Sequence, residues 1–163
     1  MIFLVLTALA LILGCVHIAA TKGPRTRLQI TDILLRYLFV FPIGLGGLIG
    51  FLGHTFRAAS TAASIGWPAH NPFQYEVAVA NLAFGILGIS CAWVRGGFRW
   101  ATAIGWSIFI LGAGCVHVHQ IRAGQPFAPG NAGAMLYYNF IVPPLVLALQ
   151  WFASSGRKVR APA

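Results

Sequence analysis

Acidic side chains are almost missing from this sequence: Asp32 and Glu76 are the only two carboxylates among 163 residues. Charged residues of either sign make up 8% of the chain, where a soluble domain carries about a quarter. The chain therefore lacks the surface that water requires. Its 58% hydrophobic content marks an integral membrane protein. Cysteine is also scarce. Cys15, Cys91 and Cys115 are an odd number scattered within apolar runs, which excludes a disulfide framework and predicts small buried thiols. There is no P-loop, dinucleotide fingerprint or Cys-x-x-Cys pair to carry soluble-type chemistry. The net charge of +9 does not make a nucleic-acid binder, because that role needs a basic face on a water-soluble fold. Here the basic residues lie between apolar runs.

Long apolar runs are what the chain does have. Five approach the roughly 20 residues that cross a hydrocarbon core, at about 2–21, 33–56, 74–94, 99–121 and 133–152. The first has the length of a secretory signal, and Ile12-Leu13-Gly14-Cys15 faintly resembles a lipoprotein box. No Lys or Arg precedes it, as a signal's n-region requires, so an uncleaved span is expected. The fold class predicted is an all-α transmembrane bundle of about five spans, a single integral-membrane domain over 1–163.

Lys22, Arg25, Arg27, Arg36, Arg95, Arg99, Arg157, Lys158 and Arg160 fall on one side of such a bundle, and Arg57 and Arg122 on the other. The positive-inside rule puts the larger group in the cytoplasm. The expectation is a multi-pass protein of the cell (inner) membrane, with its N-terminus outside and its C-terminus cytoplasmic. A Ser–His–Asp system is then disfavoured, because Asp32 lies on the cytoplasmic side.

The tetrapeptide Gly14-Cys15-Val16-His17 recurs one hundred residues later as Gly114-Cys115-Val116-His117. Within each copy Cys and His stand roughly 200° apart around a helix, a poor geometry for chelation. His17 lies about 24 Å along the first span and His117 late in a span running the other way, so the two fall at opposite sides of the bilayer. Tyr37-Leu-Phe39-Val40-Phe-Pro42 also resembles Tyr138-Asn-Phe140-Ile141-Val-Pro143. Spans one and two thus read either as an inverted repeat of spans four and five, a transporter design, or as a coincidence among apolar residues.

Polar residues gather toward the other, outer half. Gly47 and Gly50 share a helical face with His54, where small residues let helix backbones approach closely. The next connection carries the breakers Gly66, Pro68 and Pro72, an interfacial Trp67, a half-helix expected over Ala58–Ile65, and a solvated His70. Glu76 opens the third span, where a carboxylate suits a helix N-terminus. Asn81 lies about 140° around from it. His117 and Gln120 share a face of the fourth span, and Asn139 falls in the second turn of the fifth. Pro143-Pro144 is expected to kink that last helix. His54, Glu76, Asn81, His117, Gln120 and Asn139 are the candidate ligand-binding residues, since polar groups inside a membrane are costly. His54, Glu76 and His117 have the chemistry of a divalent-metal site, and two histidines from different helices suit haem. An interhelical hydrogen-bond network would use the same residues.

Arg36-Tyr-Leu-Phe, Gly50-Phe-Leu-Gly53-His54, Ile65-Gly66-Trp67-Pro68 and Glu76…Gly85-Ile-Leu-Gly88 resemble the DoxX-like membrane families. More narrowly, "IGWPAHNPFQYEVAVANLAFGILG" with His117-x-x-Gln120 and "APGNAG" is similar to a small uncharacterised family of prokaryotic membrane proteins. The likeness covers roughly 33–152 and leaves the first span outside the four-helix pattern. It implies a DoxX-like four-helix core, and for some members a place beside redox enzymes that use quinones or thiols.

The leading functional expectation is a non-catalytic membrane subunit or small-ligand-binding module with an outward-facing polar pocket. The alternatives are a small transporter or channel built on an inverted repeat, and a membrane oxidoreductase binding haem, metal or quinone. The expected partners are the lipid bilayer and either a membrane redox complex or further copies of the chain, with no nucleic acid. The sequence names no cofactor.

Overall fold

The computed structural model describes residues 1–68, 71–124 and 127–158, and every regular element among them is helical. Helix α1 spans Ile2–Ala20, α2 Arg27–Leu38, α3 Gly46–Phe56, α4 Ala58–Ile65, α5 Phe73–Ser90, α6 Gly97–Arg122, α7 Pro129–Ala132 and α8 Ala134–Lys158. Five stretches are long and apolar enough to cross a membrane: Ile2–Ala20, Arg27–Phe56, Phe73–Ser90, Gly97–Arg122 and Pro129–Ser155. The protein is an all-α bundle of five spans. Ile12, Val16, Leu52, Val79, Ile108 and Trp151 are exposed on its outside, a surface made for lipid and not for water.

Local chemistry moves two span boundaries from where hydropathy places them. The second span begins at Arg27 and not near 33, because Thr26 caps it: its Oγ1 accepts from the Gln29 amide at 3.3 Å, and the Gln29 Oε1 accepts from the Thr26 amide at 2.9 Å. The third ends at Ser90, and Gly96 at φ 67° turns the chain into α6. Inside the second span, Phe39–Leu45 forms a π-helix around Pro42. Proline has no N–H and crowds the carbonyl one turn back; a wider turn relieves that clash without ending the helix. Helix α8, in contrast, runs through Pro143 and Pro144 as one element.

The second and third spans cross through glycine. A Cβ on Gly47 would stand 2.6 Å from the Asn81 carbonyl oxygen and from the Gly85 amide nitrogen, and one on Gly88 would stand 2.6 Å from the Gly44 nitrogen. Helix α1 lies along α2 and the π segment, and α8 packs on both α6 and α2. Leu35, Leu38, Phe39, Ile43, Trp106, Tyr138, Val142 and Val146 meet in the core. The Tyr138 hydroxyl donates to the Pro42 carbonyl at 3.3 Å, tying α8 to the π segment.

At one end of the bundle Arg99, 1% exposed, donates from Nη1 to Asp32 Oδ1 at 2.8 Å and from Nε to the Cys91 carbonyl at 2.9 Å. Arg95 pairs with the same carboxylate at 3.3 Å. The expectation of buried thiols holds for Cys91 alone; Cys15 and Cys115 are exposed. In both copies of Gly-Cys-Val-His the glycine takes the inward face, Gly14 against Leu34 and Gly114 against Asn139, which turns the adjacent cysteine outward.

Candidate functional site

The opposite end is organised by the turn after α4. Gly66 closes that helix at φ 82°, a left-handed conformation that glycine adopts without strain. The Trp67 amide then reaches back to the Ala62 carbonyl at 2.9 Å. This reversal brings the Trp67 ring to 6.3 Å from the His54 ring and 5.9 Å from Phe73. His54, in the last turn of α3, is half-buried, and its Nδ1 stands 3.5 Å from the Gln74 Nε2. Gln74 is 1% exposed and donates to the Ala58 carbonyl at 3.0 Å. It therefore joins the ends of α3 and α4 to the start of α5.

Below this aromatic rim a cavity of about 590 Å³ runs between α3, α5, α6 and α8, with further lining from α4, α7 and Phe3 of α1. Most of its wall is apolar, including Phe3, Ile49, Val77, Phe109, Ala113 and Met135. Among the described residues no Lys, Arg, Asp or Glu lines it. Its polar side chains include His54, Asn81, His117, Asn139 and Tyr138. Asn139 is 1% exposed, and among the described residues neither Oδ1 nor Nδ2 has a hydrogen-bond partner. His117 is 8% exposed; Asn131 and Gln120 are polar neighbours of its ring, yet among the described residues no hydrogen bond of regular geometry reaches its Nδ1. Asn81, by contrast, spends its Nδ2 on the Val77 carbonyl at 2.8 Å.

Four of the six candidate residues thus meet at one cavity: His54, Asn81, His117 and Asn139. Gln120 lies beside His117 but does not line it. Glu76 is exposed. It sits roughly 200° around α5 from Gln74, so burying one turns the other outward. The metal set His54, Glu76 and His117 is accordingly not assembled, and among the described residues no three His, Cys, Asp or Glu side chains cluster. His70 lies outside the described residues. His17 belongs to the Asp32 end, where its Nδ1 and the Tyr37 hydroxyl are 3.1 Å apart.

Sequence reading missed Gln74 and Asn131. Gln74, Ala78, Gly85 and Gly88 form the buried face of α5, a repeat of three, four and seven residues that also includes Asn81. That periodicity was a usable signal. Asn131 gave none, because it enters through the single turn α7, where Gly130 packs against the Ser64 carbonyl.

The model of a family of unknown function, DUF6790, matches residues 1–159. The chain belongs to that family. No curated protein and no solved structure matches it. The match runs through all five spans, α1 included.

Proposed function

We propose that this protein is a non-catalytic membrane module that holds one small molecule in the cavity beneath His54 and Trp67. One observation carries the reading: a space of about 590 Å³ with an apolar wall is lined by Asn139, whose buried amide atoms are both without partners among the described residues, and by His117, whose Nδ1 is likewise unpartnered there. Cavities of roughly 300–1,000 Å³ take drug-sized molecules. A buried amide left without partners costs free energy, and a bound polar group offsets that cost. In this reading the basic first connection, Arg95, Arg99 and the C-terminal tail face the cytoplasm, so the cavity opens to the outside of a cell membrane. The resemblance to DoxX-like proteins supports a place beside a membrane redox enzyme, to which the module would present its ligand.

Native mass spectrometry of the full-length protein released from lipid nanodiscs tests this. Wild type is expected to carry a non-protein adduct that Ala113→Trp, which fills the cavity, does not retain. An identical adduct-free spectrum for both proteins would end the reading.

A second reading, transport by an inverted repeat, is supported by one observation. Leu6, Thr7, Ala10 and Gly14, buried in α1, recur one hundred residues on as Trp106, Ser107, Ile110 and Gly114, buried in α6. Exchange of a labelled form of the retained molecule across proteoliposomes separates a carrier, which moves it, from a module, which only holds it.

A further inference from the structure

We infer that the cavity selects a neutral amphipath bearing a planar carboxamide head, with that head on Asn139 and its apolar tail along the cavity wall. This rests on the ligand-holding reading above and names the chemistry of its occupant. Three observations combine. The first is the absence of a full charge in the lining: among the described residues no Lys, Arg, Asp or Glu stands in the wall, and the Tyr138 hydroxyl is already spent on the Pro42 carbonyl, so a permanently charged head would lose its hydration without gaining a counter-ion. The second is Asn139 itself, whose acceptor Oδ1 and donor Nδ2 are both buried and unpartnered among the described residues. The two atoms sit side by side in one plane. A ligand carboxamide presents the matching donor and acceptor in the same plane, so two hydrogen bonds close together. A hydrocarbon can satisfy neither atom, an ether oxygen can accept only from Nδ2, and an alcohol lacks the fixed planar match.

The third observation is the shape of the remaining space. Asn139 meets α6 at Gly114, one turn from His117. From there the wall is formed by side chains such as Phe109, Val77 and Met135 up to the rings of Trp67 and Phe73. A short polar solute would satisfy Asn139 and leave that wall uncovered; an apolar tail covers it. His117 lines the same cavity, and its Nδ1, unpartnered among the described residues, is available to a second polar atom of the head once the ring turns toward it.

The test is competition against tritiated decanamide bound to full-length protein in nanodiscs, using acetamide, decanoate, decylammonium and 1-decene as competitors. Unlabelled decanamide is expected to displace the tracer at about tenfold lower concentration than the charged or alkene analogues, as two neutral hydrogen bonds would give. Acetamide, which has the head without the tail, is expected to compete far more weakly still. In Asn139→Leu the head preference should shrink to within about twofold while 1-decene still competes. Saturable binding with no head preference in wild type would overturn this inference and leave the ligand-holding reading standing. Competition by acetamide as strong as by decanamide would overturn the amphipath. No saturable binding of decanamide, combined with a retained adduct of another chemistry in the native spectrum, would overturn the carboxamide alone; an empty native spectrum as well would take the underlying reading with it. The wild-type series decides the matter even if Asn139→Leu does not fold.

Discussion

Asp32 and Arg99, 67 residues apart in sequence, meet at 2.8 Å where the second and fourth spans come together. The arginine is 2% exposed at its side chain and also stacks over Phe39, with its guanidinium carbon 5.7 Å from the ring centroid. Removing one member of such a pair strands the other charge in the bundle, which costs about 3–5 kcal/mol. Asp32→Ala should therefore lower the thermal unfolding midpoint in detergent sharply. Asp32→Ala combined with Arg99→Met should recover most of that loss, because no uncompensated charge remains buried; Arg95, which also pairs with Asp32, is 44% exposed and keeps its hydration. Equal destabilisation by the single and double variants would show that the pair is not what holds this end.

The glycine crossing makes a second, sharper claim. Gly47→Ala would set a methyl group 2.6 Å from two backbone atoms of α5, neither of which can rotate away. Forcing the helices apart should cost on the order of 1–3 kcal/mol. Gly112→Ala adds the same methyl where nothing lies within 4 Å, and its stability should stay level or rise by up to about 1 kcal/mol. Thermal melts of the two variants side by side check the contrast.

The two inward-facing histidines with aromatic neighbours should differ in what they affect. His54 lines the cavity beside Trp67, whereas His17 contacts Tyr37 at the Asp32 end and does not line it. His54→Ala is expected to weaken retention of the cavity's occupant about tenfold, ~1.4 kcal/mol, and His17→Ala to leave it within about twofold. Titration of each variant with the molecule released from wild type gives both numbers, and matching losses would refute the spatial assignment.

Much of this was legible beforehand. Hydropathy alone separates five spans, since a stretch such as Ile2–Ala20 has no alternative to burying itself in lipid. The half-helix Ala58–Ile65 is bracketed by Arg57 and Gly66 and appears with those bounds. The grouping of His54, Asn81, His117 and Asn139 followed from their similar depth along consecutive antiparallel spans. Depth was enough to gather them because each is fixed by counting 1.5 Å per residue.

Rotation about each helix axis was not available from depth. Glu76 and Gln74 lie at almost the same height, and only the packing of α5 on α3 and the π segment through Gly47, Gly85 and Gly88 decides that Gln74 turns inward and Glu76 outward. The same holds for Cys15 and Cys115, which the inward glycines beside them turn to the surface. The sequence by itself determined how many times the chain crosses and how deep each polar group sits, because both depend on composition along one dimension. Which face each helix presents, and hence the empty space above Asn139, was decided by tertiary structure, because close packing depends on where every neighbouring span places its smallest side chains.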